Sequence, residues 1–143
     1  MPDINFGAFF TAYQTAARTR DVGAMVALYA EDIREFGMWA DWSRDGVAAI
    51  RTAVEGWFGG IAAGETVAVS FSDITTQTGP DLAAAQAIVT FSAIAPSGEM
   101  LRSMQNRLSW VAAKTPDGWR IVHQHTSSPI DPETTAVIWH RAD

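Results

Sequence analysis

Apolar residues along the first third of the chain recur at helical spacing. Phe6, Phe9, Phe10, Tyr13, Ala16 and Ala17 fall on one side of a helix. Asn5 stands just before them as an N-cap, so a helix to about Thr19 is predicted. Asp21 reads as a second N-cap, opening a shorter helix from Val22 to Tyr29 that buries Met25, Val26, Leu28 and Tyr29. Ile33 to Gly37 is a short strand-like segment. The loop from Gly37 to Gly46 carries Trp39 and Trp42 among turn residues. Asp45 then caps a third helix, Val47 to Phe58, whose apolar side holds Val47, Ile50, Val54, Trp57 and Phe58. Gly59, Gly60 and Gly64 end it, because glycine suits a left-handed cap.

From Glu65 the period falls from helical to two. Val67, Val69 and Phe71 alternate in a strand to Gln77, and Thr78 to Asp81 makes the turn. Leu82 to Ala95 is a second strand, with Ala85, Ala87, Val89, Phe91 and Ala93 on one face. Pro96 to Gly98 turns into a third, Met100 to Ala113, and Thr115 to Gly118 into a fourth, Trp119 to Ser127. In the fourth, Trp119, Ile121, His123 and His125 project to one side, and Arg120, Val122, Gln124 and Thr126 to the other. Both sides carry large or polar groups, so this strand belongs in the middle of a sheet with each face covered. Helices followed by an antiparallel meander define an α+β fold. One domain, 1–143, is predicted, with a core over 4–129 and a tail of weak helical character over 130–143. A curved sheet wrapped over helices leaves a tapered hollow, the kind of concavity that takes a small ligand. The outer sheet face, half apolar, is expected to meet a second copy in a homodimer.

Composition narrows the function. A formal net charge of −6 offers no basic surplus for phosphates, which argues against nucleic acid. The basic residues are scattered and no apolar run approaches a membrane span, so no membrane partner is expected. Cysteine is absent, which removes thiolate nucleophiles and cysteine-based zinc sites. No basic and apolar leader opens the chain, so a cytoplasmic location is expected. Phosphate loops, serine-nucleophile elbows and dinucleotide fingerprints are missing, and no cofactor is predicted.

The run Trp119-Arg120-Ile121-Val122-His123-Gln124-His125-Thr126-Ser127, together with three N-terminal helices and the Phe36-Gly37 segment with its aromatic loop, resembles the SnoaL-like group of the nuclear transport factor 2-like superfamily. The nearest branch includes the association domain of calcium/calmodulin-dependent kinase II. The resemblance covers roughly 4–129. It implies a cone-shaped α+β barrel, dimeric through the convex sheet face, with a pocket in the cone. Superfamily members include ketosteroid isomerases, polyketide cyclases, dehydratases and non-catalytic association domains. Association domains of this branch present arginines into the pocket from the last two strands. Arg107 falls on one such position, while the other is Thr126 here.

Candidate site residues follow from both lines. Arg107, sharing a strand face with Gln105 and Ser109, would offer a planar donor fork to a carboxylate or enolate if that face lines the cone. Gln124 and Thr126 would reach the same space from the last strand. Trp39 and Trp42, with Phe36 and Trp57, are candidates for an apolar rim and wall. Asp41 beside the loop tryptophans, or Glu35, would be a general base, although Arg34 and Glu35 cannot both face inward. The Tyr13 hydroxyl, on the resemblance, would donate to an oxyanion. His123 and His125 share a strand face but lack a third ligand at a recognisable spacing, so a structural role is preferred and no metal is predicted. The function expected is binding of a small acid or carbonyl compound in the cone. The alternative is a cofactor-free isomerase, cyclase or dehydratase working by proton transfer, and the sequence leaves open whether the protein is an enzyme.

Overall fold

A computed structural model describes residues 3–142. Three helices, α1 (Phe6–Thr19), α2 (Val22–Val26) and α3 (Val47–Gly59), pack against a sheet built from β1 (Tyr29–Phe36), β2 (Arg44–Asp45), β3 (Thr66–Thr78), β4 (Leu82–Ile94), β5 (Met100–Thr115) and β6 (Gly118–Ser127). The strand order is β2-β1-β6-β5-β4-β3. The sheet is curved but does not close into a barrel: β2 and β3 remain its edges. β6 is central, as its two-sided pattern requires. The β3 to β6 meander is antiparallel throughout, whereas β1 joins β6 in parallel.

Local chemistry explains most boundaries. The Asn5 side chain accepts from the Ala8 N–H, and Asp21 does the same for Ala24, so both predicted N-caps form. Arg20 ends α1 in the left-handed region, φ 56°. From there its guanidinium donates to the Ile61, Ala62 and Glu65 carbonyls and ties down the loop after α3. Besides small shifts at strand and helix ends and a short β2 inside the segment read as a loop, two differences from the sequence reading change which residues belong to which element. α2 stops at Val26, and Tyr29 opens β1 instead of closing a helix. Asp45 does not cap α3: it lies in β2 opposite Arg34, while Gly46, at φ 89°, takes the cap position without a side-chain bond. The sharp reversal there needs a conformation that glycine adopts without steric cost.

The core lies between the helices and the concave side of the sheet. Trp110 is fully buried, with Phe10 stacked on it at 5.2 Å and Tyr13 and Phe71 packed around it at 6.0 and 5.9 Å. Alternation along β4 sends Ala83, Ala85, Ala87 and Val89 inward, as the period of two predicts.

In β6 the period breaks. Val111 pairs with His123 and Ala112 with Ile121, which leaves Val122 as the extra residue of a bulge. A bulge shifts the phase by one, so Ile121 and Gln124 both point inward, and His123 and His125 turn outward. Strict alternation had placed Ile121 with the histidines, and the bulge is why it is not there.

Candidate functional site

A cavity of about 680 Å³ opens between α1, α3, β1 and the concave side of β3 to β6. Its base is built by strand register. Glu35 in β1 stands beside Gln124 in β6, and Glu35 also faces Arg44 across β2. That register settles which of the adjacent charges enters: Arg34 goes out to pair with Asp45 at 3.2 Å, and Glu35 goes in. Gln124 Nε2 donates to Glu35 Oε2 at 2.5 Å, and Arg44 Nη1 donates to Oε1 at 2.9 Å. The Tyr29 hydroxyl and the Trp110 Nε1–H both donate to Gln124 Oε1, at 2.6 and 2.8 Å. One amide therefore links an acid, a phenol and an indole, its oxygen accepting two bonds and its nitrogen donating one.

Tyr13 differs from Tyr29. It is 6% exposed and lines the cavity, yet its hydroxyl has no hydrogen-bond partner among the described residues. No side-chain nitrogen or oxygen fully sealed from solvent among those residues lacks a partner, so this hydroxyl opens onto the hollow. Burial first, and then the Glu35 charge, push its pKa well above the ordinary tyrosine value. Tyr29 is raised too, by burial first and then by Tyr13 and Glu35, with its bond to Gln124 acting in the opposite sense. Both phenols are held as O–H donors. Asn106, also 6% exposed, lines the cavity further along β5 and engages Ser128. The remaining wall is mostly apolar, with Met25, Ile50, Val54, Trp57, Val67 and Phe91 among it.

The sequence candidates divide. Glu35, Tyr13, Gln124, Thr126, Trp39 and Trp57 line the cavity. Arg107, Gln105 and Ser109 do not: Asn106, Leu108 and Trp110 occupy the inner face of β5, and Arg107 is exposed with its Nε donating to Ser127 at 3.2 Å. The face with Leu108, Trp110 and Ala112 is the apolar one, and burial of that face turns the arginine outward. Asp41 is exposed and reaches Arg44 at 3.8 Å on a separate shallow surface. Trp42 is 96% exposed. Phe36 lies outside the cavity, edge-on to His123 and His125 at 5.1 and 5.7 Å with the Arg34 guanidinium over its ring. Among the described residues no cluster of three or more His, Asp or Glu side chains is arranged to hold a metal.

Sequence reasoning missed Arg44, Asn106, Trp139 and the polar role of Tyr29. Tyr29, Ile33 and Glu35 do share a period of two, but Glu31 and Asp32 between them obscure it. Nothing local marks Arg44 or Trp139.

The fold is an α+β domain whose helices cover the concave side of an open curved sheet, with an acid and two phenols at the base of a mostly apolar hollow. The chain belongs to the SnoaL-like domain family, whose sequence model matches residues 7–131. Solved structures of the same fold include a nuclear transport factor 2-like protein of unknown function from Pseudomonas putida, with TM-score 0.84 and 21% identity over 96% of this chain and 94% of that one. A Xanthomonas campestris protein provisionally assigned as a calcium/calmodulin-dependent protein kinase II association domain has TM-score 0.71 and 21% identity over 90% and 87%. Aln2 from a Streptomyces species has TM-score 0.74 and 12% identity over 85% and 86%. At such identities these structures show the shared fold alone. No curated protein is significantly similar in sequence. No helix among the described residues is long and apolar enough to cross a membrane.

Proposed function

We propose that the cavity binds a neutral, flat, largely apolar carbonyl compound and that Glu35 moves a proton on it without a cofactor. The observation that carries this reading is the unpartnered Tyr13 hydroxyl, a donor held protonated by burial and aimed into the same hollow as the Glu35 carboxylate. A carboxylate ligand fits less well. Both arginines that line the cavity are already paired, Arg44 with Glu35 and Arg102 with Glu65, and Glu35 itself would repel a second negative charge. In the proposed step Glu35 takes a proton from carbon α to the carbonyl. The C–H electron pair becomes the enolate, whose oxygen accepts from the Tyr13 O–H. Return of the proton to the same or a conjugated carbon completes exchange or isomerisation, with no net change in oxidation state. Arg44 and Gln124 orient the carboxylate, and Trp57 and Phe91 supply flat apolar wall. We also propose a homodimer. Exposed apolar side chains on the strands, Ile74, Leu82, Met100 and Leu101, support it, and light scattering on the purified protein tests it.

The test of the site uses 2-acetylnaphthalene and 2-naphthoate as probes. The ketone is expected to raise the melting temperature, and the acid to do so less. In D2O the ketone's methyl protons are expected to exchange in the presence of protein, with exchange abolished in Glu35→Gln and reduced at least about tenfold in Tyr13→Phe. Stronger stabilisation by the acid, or exchange that survives Glu35→Gln, refutes the reading. Ketone binding with no exchange leaves a receptor site and removes the catalytic step.

A further inference from the structure

We propose that Trp139 is a specificity-determining residue of the cavity, carried by residues 128–142 as a strap that lifts to admit ligand and reseals over it. The proposal rests on the cavity being the ligand site.

Past β6 the described residues form no further helix or strand, only a single bridge between Ile130 and Val137, so the weak helical character expected of the tail is not found over 130–142. Not one residue of 128–142 is buried. The segment nevertheless returns to the body at a defined place. The Gln105 backbone N–H donates to the Trp139 carbonyl at 2.8 Å, and the Arg141 N–H donates to Gln105 Oε1 at 2.7 Å. His140 Nε2 lies 3.0 Å from Ser103 Oγ, and the Arg141 guanidinium pairs with Asp73 of β3 at 3.0 Å. This route is possible because β5 runs on beyond the end of β6, whose last pairing is Ser127 with Arg107. The β5 edge before that point is free of a strand partner, and the strap occupies it.

At the crossing the Trp139 indole turns into the cavity lining and stacks on Trp39 at 5.7 Å and 21°. Trp39 comes from the β1–β2 loop, so two rings on segments without regular structure meet at the mouth. They are 53% and 40% exposed, for Trp39 and Trp139 respectively, as expected for a cover and not for core.

The fastenings are weak. The three side-chain contacts named here are solvent-exposed, and the Arg141–Asp73 pair is 52% and 67% exposed, so water competes for each. A segment with no buried residue belongs at the low-stability end of a protein and opens locally without global unfolding. The stacked indole supplies the closing force. A ligand filling the hollow touches Trp139 only in the closed form and therefore shifts the population toward it. Molecules that project past Trp139 must hold the strap open, which makes the indole the limit on ligand length.

Amide exchange on the full chain reads the strap directly, because the acceptor for the Gln105 amide is the Trp139 carbonyl. Gln105 is expected to exchange at least about tenfold faster than Trp110 in the same strand. Arg141→Ala should speed Gln105 severalfold and leave Trp110 unchanged. Equal protection at both amides, unmoved by Arg141→Ala, overturns the strap. The neutral dye Nile red reads the role of Trp139: its dissociation is expected to quicken about tenfold or more in Trp139→Ala. Binding with unchanged dissociation in that variant overturns the specificity role. Failure of Nile red to bind the parent protein counts against the cavity as a ligand site, and with it against Trp139, whereas the exchange result for the strap stands independently.

Discussion

Gln124→Leu isolates the amide on which the cavity base depends. Leucine keeps much of the volume but neither accepts nor donates. The Tyr29 hydroxyl and the Trp110 indole N–H lose their acceptor, and Glu35 loses its donor from Nε2. Gln124 is 6% exposed and Trp110 fully buried, so water cannot simply replace the lost partner at the indole. Each orphaned neutral donor costs about 1–3 kcal/mol, and the bond to a charged group about 1.5–3 kcal/mol. Water entering from the cavity recovers part of the Tyr29 and Glu35 losses, which leaves a net destabilisation of about 3–5 kcal/mol. Against a typical stability of about 5–15 kcal/mol that is a large fraction. Urea unfolding followed by tryptophan fluorescence should show the midpoint falling by about 1.5–2.5 M at a slope near 2 kcal/mol/M, with the slope unchanged. Gln124→Glu separates packing from polarity, since it keeps an acceptor for Tyr29 and Trp110 while setting a second acid beside Glu35. Its penalty should shrink on acidification, whereas that of Gln124→Leu should not. A loss below about 1 kcal/mol in Gln124→Leu would refute the claim that one amide satisfies these groups.

Alkaline behaviour gives a second check. Both of the chain's tyrosines have folded-state pKa values raised above the ordinary 10.0, so the folded form holds protons that the unfolded form releases. Their stabilisation is complete below pH 10 and is lost as pH climbs above it, by up to about 1.4 kcal/mol per group per pH unit. Tyrosinate absorbance near 295 nm should therefore appear together with unfolding, and a separate titration near pH 10 in the folded protein would contradict the burial argument. Arg107→Ala and Trp42→Ala, both outside the cavity, should shift stability by less than about 0.5 kcal/mol and leave 2-acetylnaphthalene binding unchanged. Weakened binding in either variant would mean that the sheet presents its other face to the ligand.

Periodicity in the chain was enough to specify the helices, the meander and the central place of β6, because an amphipathic face has to be buried whatever it is buried against. It also marked Glu35, Tyr13, Gln124 and Trp57, whose types stand out in their settings. Which face of a strand turns inward was partly legible: Leu108, Trp110 and Ala112 form the apolar side of β5, and weighing them would have sent Arg107 outward. The bulge at Val122 was not legible, since one extra residue inverts every later side chain without altering composition. Nor was the meeting of Glu35 with Gln124, 89 residues apart, or that of Trp39 with Trp139. Contacts of that kind depend on strand order and register, which arise from the packing of the whole sheet. Local sequence therefore determined what each segment could become, and tertiary structure alone decided which polar groups would share one hollow.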